Sequence, residues 1–151
     1  MSDAPRPGEA IAETSLAEDA RLTFIGRLRT PWHERGDCPR QGSLDGPECR
    51  VEVFPRWQAA LDGLERFEEL ELLYWMDQAR RDLLTQFPAH LSAPRGTFAL
   101  RSPARPNPIA TSRVRLIGIS GRMLTVRGLD CLDGTPLLDI KPDRCAFMRR
   151  G

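Results

Sequence analysis

Lysine is nearly missing from this sequence: of 22 basic residues 21 are arginine, and Lys141 is the only lysine. A general bias toward arginine accounts for most of that. It also makes the one retained lysine conspicuous, because a planar guanidinium does not reproduce a compact ammonium at a crowded site. Cysteine supplies no metal framework. Cys38, Cys49, Cys131 and Cys145 are 11, 82 and 14 positions apart, without a CxxC or paired Cys/His spacing, which argues against structural zinc. His33 and His90 are the only histidines, too few for a His-based metal centre. Reduced, mostly buried thiols are therefore expected. Apolar runs such as Leu72 to Met76 are a few residues long, far short of the roughly 20 that cross a bilayer as a helix. The first residues carry carboxylates where a secretory signal has a basic and then an apolar region, so the expected location is cytoplasmic.

What is present is a chain of 151 residues, 40% hydrophobic and 28% charged, which suits one domain with a modest core. It is too short for a two-domain dinucleotide enzyme. The net charge of +1 averages two unlike parts. Residues 1–20 hold five carboxylates and Arg6, a net −4, and read as an acidic, flexible arm; residues 21–151, the folded domain, carry +5. No carboxylate occurs between Asp82 and Asp130, whereas Arg95, Arg101, Arg105, Arg113, Arg115, Arg122 and Arg127 all fall there. That stretch is expected to carry positive potential, unless strands there simply turn arginine outward for solubility.

The patterning is mainly β. Leu22 to Arg29 reads as a strand interrupted by Gly26, and Thr30 to Pro47 as a long loop. Val51 and Val53 alternate with charged residues as in a half-buried strand, Pro55 opens a short helix through Leu61, and Leu70 to Met76 is a buried strand. Asp77 to Phe87 has helical composition up to Pro88, and Gly96 to Arg101 reads as a strand. Val114, Leu116, Leu124 and Val126 lie in two runs joined at Ser120-Gly121 as a hairpin, and a turn at Asp133-Gly134 leads to Leu137 to Ile140. At least six strands, mostly antiparallel, with one or two inserted helices, close most simply as a small barrel or curved sheet.

Three loops mix rigid prolines with charged or amide groups: Cys38 to Gln41, Arg101 to Ile109, and Leu129 to Pro142. Rigid loops lose little entropy on binding. Their order, with Phe24-Ile25-Gly26, Thr30-Pro31-Trp32, Gly96 to Pro103, Arg105-Pro106-Asn107-Pro108-Ile109, Asp133-Gly134-Thr135-Pro136 and Asp139-Ile140-Lys141-Pro142, resembles the TsaA-like/TrmO family of S-adenosylmethionine-dependent tRNA methyltransferases. The resemblance spans Leu22 to Pro142. It implies a single-sheet antiparallel β-barrel, a homodimer, S-adenosyl-L-methionine as cofactor, and methylation of N6 of threonylcarbamoyladenosine in the tRNA anticodon loop. The cofactor-binding positions it implies are Pro39, Arg40, Gln41, Asp77, Gln78, Arg101, Thr111, Cys131, Leu132, Asp133 and Gly134. Two departures stand out: Glu69 lies nearest the place of a family histidine, and Asp143 where an aromatic follows the Lys-Pro pair.

Chemically, Arg40 or Arg101 suits the cofactor's carboxylate, and Asp133 its amino group or a ribose hydroxyl. The acceptor nitrogen is urea-like and a weak nucleophile, so transfer relies on alignment and on removal of its proton. Asp133 and Asp139 are candidates for that proton, Lys141 for stabilising charge or orienting Asp139, and Asn107 for bonding the acceptor; an ion pair that merely fixes the last strand accounts equally well for Asp139 and Lys141. Arg105, Arg113 and Arg115 are the expected RNA contacts, with Trp32, Trp57 or Trp75 as stacking surfaces. Two other readings remain: a non-catalytic barrel that binds S-adenosylmethionine or RNA, and a methyltransferase of a small-molecule acceptor.

Overall fold

Nine strands follow one another in the computed structural model, which describes residues 4–12 and 17–143. They are β1 (Ala10–Ile11), β2 (Gly26–Arg29), β3 (Glu48–Val53), β4 (Glu69–Trp75), β5 (Leu83–Gln86), β6 (Arg95–Gly96), β7 (Ile109–Ser120), β8 (Met123–Arg127) and β9 (Thr135–Pro142). Short 3-10 turns are the only helical segments among the described residues, and none is long and apolar enough to cross a membrane. The chain divides into two units, one of Leu22–Met76 with Ala110 onward, the other of the residues up to Arg21 with Asp77–Ile109.

The larger unit is a closed barrel in the order β2-β3-β8-β7-β4-β9, the mainly β architecture that the alternation predicts. Period-2 patterning explains it directly. Cys49, Val51 and Val53 of β3, Leu70, Leu72 and Tyr74 of β4, and Leu124 and Val126 of β8 are buried, while Glu48 and Arg50 face water. Leu28, Val114 and Leu137 complete the interior. Registers such as Val51↔Leu124 and Leu28↔Thr135 follow, since a slip by one residue would expose every one of these side chains. The expected β7–β8 hairpin forms, its turn at Gly121-Arg122 lying one residue beyond the Ser120-Gly121 that the sequence suggests, and β9 closes the cylinder between β4 and β2. Pairing of β4 with β9 shifts between Leu73 and Tyr74 because β9 carries an extra residue there, Leu138, while β4 keeps its alternation and turns Tyr74 inward with Leu70 and Leu72. The segment Pro55–Leu61 forms the expected helix, in 3-10 form, with Pro55 at its first turn.

In the smaller unit β5 pairs with both β1 and β6. Two expectations fail here. Asp77 to Phe87 is not a helix but a turn followed by β5. Its composition favours a helix, yet Pro88 limits the length, and cross-strand pairing together with burial of Leu83 and Gln86 overrides the propensity. Gly96 to Arg101 is not a strand beyond Gly96: the Thr97 hydroxyl donates to the Leu83 carbonyl (2.7 Å) and accepts from Gln86 Nε2 (3.1 Å), which turns the backbone into the 3-10 segment Thr97–Ala99.

Candidate functional site

Where β2 ends, Thr30 is buried and uses both its hydroxyl and its amide on the turn that precedes β9. Thr30 Oγ1 donates to the Cys131 carbonyl at 2.7 Å, and its N–H donates to Asp133 Oδ1 at 3.1 Å. The strap is reciprocal, because the Asp133 N–H donates to the Trp32 carbonyl (2.7 Å) and the Gly134 N–H to the Leu28 carbonyl (2.8 Å). Arg27 Nη1 bonds the Gly134 carbonyl and Thr135 Oγ1 bonds that of Leu132. Gly134 has φ = +82°, a conformation glycine adopts without strain, so Asp133-Gly134 is the only order of these two residues that suits the turn. With Oδ1 committed to Thr30, Asp133 Oδ2 is left 3.8 Å from His33 Nδ1.

The second segment arrives through Gly42. A Cβ there would overlap the Gly128 carbonyl oxygen, so the backbones cross at a distance that only glycine permits. This seats the end of Pro39-Arg40-Gln41 against the chain leading into Cys131 to Gly134; the side chains of Arg40 and Gln41 are exposed. Arg40 has no ion-pair partner among the described residues. Partial burial and the carboxylates of Asp130 and Asp37 push the Cys38 thiol up from its ordinary pKa. Burial pushes the Cys131 thiol up to about 12, so this residue offers the site its backbone and not a thiolate. Behind the turn, the Tyr74 hydroxyl bonds Asp130 Oδ1 at 2.8 Å and Ser112 Oγ at 2.6 Å. Thr30, Tyr74, Ser112 and Asp130 are thus supporting groups to which sequence reasoning assigned no role: Thr30 and Asp130 lie in segments it singled out, and for Tyr74 the signal was a phenol among aliphatic residues on a buried strand.

Within the barrel unit, then, Pro39-Arg40-Gln41 runs directly into the Gly42 crossing, and Cys131 to Gly134 begins three residues after Gly128 on its other side. Thr111 lies elsewhere, exposed on β7 with its hydroxyl on Glu71 Oε1 at 2.9 Å. Glu71 is paired in register with Lys141, whose Nζ meets Asp139 Oδ2 at 2.7 Å, so Asp139 and Lys141 form the ion pair on the last strand. Arg113 is held by both Glu69 and Asp143, and Arg115 by Asp45. Trp32 and Trp57 pack partly buried against the core. In the other unit Asp77, Gln78 and Arg101 are exposed, as is Asn107, whose carbonyl accepts from the Ile109 N–H. Arg105 Nη1 there binds the carbonyls of Leu100 and Ser102, clamping its own loop. No group of three His, Cys, Asp or Glu side chains among the described residues is disposed to hold a metal ion.

A family model for the N-terminal domain of tRNA-methyltransferase O matches residues 27–145. A probable S-adenosyl-L-methionine-binding protein, VirR of Rhizobium radiobacter, is 54% identical over 126 residues, which cover 83% of this chain and 72% of that protein. A probable S-adenosyl-L-methionine-binding protein of Methanothermobacter thermautotrophicus is 42% identical over 82% of this chain and 90% of its own length. Among solved structures, TrmO from Pseudomonas aeruginosa superposes with a TM-score of 0.67 at 36% identity, over 82% of this chain. The match covers only 55% of the crystallised TrmO chain, so the present chain spans little more than half of it.

Proposed function

Because the chain belongs to the tRNA-methyltransferase O N-terminal domain family, we propose that it is an S-adenosylmethionine-dependent methyltransferase acting on N6 of threonylcarbamoyladenosine in the tRNA anticodon loop, as a homodimer. The observation that carries the cofactor part is the crossing at Gly42, which supports a shared site for Pro39-Arg40-Gln41 and Cys131 to Gly134. The donor set suits this cofactor. Arg40 has an exposed guanidinium, the fork that a carboxylate matches in bidentate fashion. Asp133 has one oxygen outside the Thr30 bond, available to an ammonium group or a ribose hydroxyl. When bound, S-adenosylmethionine supplies an electrophilic methyl group on a sulfonium.

A turn strapped at Thr30 holds its carboxylate ready, which lowers the ordering cost of binding. Of the carboxylates considered for proton removal, Asp139 is committed to Lys141, and the one open oxygen of Asp133 is the one offered to the cofactor, so no general base is assigned. For the RNA, Arg115 is the best-placed of the expected contacts. Its partner Asp45 is 89% exposed, so a phosphate displaces a pair worth little. Arg113 is held by two carboxylates and is released less easily.

Calorimetry with S-adenosylmethionine, followed by transfer of a labelled methyl group to threonylcarbamoyladenosine-containing tRNA, tests the reading in order. Binding and labelled nucleoside are expected. Binding without transfer would favour a non-catalytic module, and no heat at millimolar cofactor would remove the cofactor reading altogether.

A further inference from the structure

Tyr74 is the only tyrosine of the chain, and its side chain lies in the barrel core with Leu70 and Leu72 of the same strand. A leucine or phenylalanine would fill such a position without bringing a hydroxyl that burial makes costly unless it is bonded. The phenol is bonded twice, to Asp130 and to Ser112. An ionised carboxylate only accepts, so the single phenolic proton goes to Asp130, and the Ser112 hydroxyl must donate to the phenol oxygen. Burial, reinforced by the Asp130 charge, raises the phenol's pKa far above neutrality, so it remains a donor throughout the physiological range. Regular alternation along β4 turns Tyr74 inward, and the β4–β9 register shift lies beside it, with Leu138 as the extra residue on β9.

Asp130 immediately precedes Cys131 to Gly134, and that turn feeds β9, whose barrel neighbours are β2 and β4. Thr30 straps the turn from the β2 side; Tyr74 reaches it from β4. We infer that Tyr74, steadied by Ser112, is a positioning residue whose hydrogen bond to Asp130 fixes the Cys131 to Gly134 turn in the pose that receives the cofactor. The inference rests on the S-adenosylmethionine reading proposed above. It assigns no contact with the cofactor to Tyr74. Without the Tyr74 bond the turn keeps the bonds that reach it from β2 and the residues just after, those of Arg27, Leu28, Thr30 and Trp32, and ordering its other side would oppose binding.

The test is calorimetry of wild type, Tyr74→Phe, Ser112→Ala and Ser112→Thr with S-adenosylmethionine, at a temperature where thermal melts show each fully folded. Tyr74→Phe is expected to weaken binding about tenfold and Ser112→Ala by a smaller factor, with Ser112→Thr recovering most of that loss because it keeps the hydroxyl. In turnover, KM for the cofactor rises while kcat at saturation stays within about twofold, a split that general loss of structure does not produce. Should Tyr74→Phe fail to fold, the Ser112 pair decides: weakening by Ala and recovery by Thr support the inference, and unchanged binding by Ala overturns it. Wild-type affinity in a folded Tyr74→Phe also overturns it, leaving the cofactor reading intact. Absence of binding by the wild-type protein overturns the cofactor reading and this inference together.

Discussion

Glu69 and Asp143 each depart from the pattern of the family that the sequence resembles, and they are 74 positions apart, yet both carboxylates converge on the guanidinium of Arg113. Read along the chain they are two unrelated exceptions. In the barrel they form one cluster that takes an arginine expected to meet RNA and engages it internally. Arg40 is the opposite case: legible from its motif, exposed, and without an ion-pair partner among the described residues. Arg40→Ala is therefore expected to leave the melting temperature unchanged while weakening S-adenosylmethionine binding by roughly 10-fold or more, as loss of a charge-assisted bond does; calorimetry beside a thermal melt checks both. The cysteines carry a pH prediction. Burial raises the pKa of Cys49 to about 11 and of Cys131 to about 12, so the folded state holds their protons more tightly than the unfolded chain does. That contribution to stability is complete below the ordinary thiol pKa and is lost as pH climbs from there through the raised values. Denaturant midpoints should fall through this alkaline window, and fall less steeply in Cys131→Ala.

At the scale of elements, the strands that bury one face were readable and the segments fixed by side-chain bonding were not. β3, β4, the β7–β8 hairpin and β9 follow from alternation that places Val51, Leu72, Leu124 and Leu137 on one interior face. β5 escaped notice because it is short, and because its order depends on partners at Ala10–Ile11 and Arg95–Gly96 that no local window contains. The same limit applies to the site. Pro39-Arg40-Gln41 and Asp133-Gly134 were each visible, but their meeting depends on a crossing of Gly42 over Gly128, a feature without sequence periodicity. Gly42→Ala tests that crossing. Its Cβ must displace the loop, so cofactor binding should fall by an order of magnitude or more while the barrel interior stays protected in hydrogen exchange. Retained affinity in Gly42→Ala would mean that the two loops act independently.

For the molecule as a whole, net charge proved a poor guide and pairing a better one. The carboxylate-free stretch of sequence is not a carboxylate-free surface, because Arg113 and Arg127 are met by Glu69 and Glu48 from other strands and Arg115 by Asp45 from the turn before β3. What distinguishes these arginines is how firmly each is held. Arg115→Ala is expected to weaken tRNA binding and to reduce the slope of log affinity against log salt by about 1, as loss of one phosphate contact does, with a smaller effect for Arg113→Ala. The central claim is the methylation of a tRNA nucleoside, and mass spectrometry of tRNA nucleosides from cells lacking the gene tests it most directly. N6-methylated threonylcarbamoyladenosine should disappear, with its unmethylated precursor accumulating, and should return on complementation with the wild-type gene but much less with Arg40→Ala. Unchanged levels of the methylated nucleoside in the deletion strain would contradict the account.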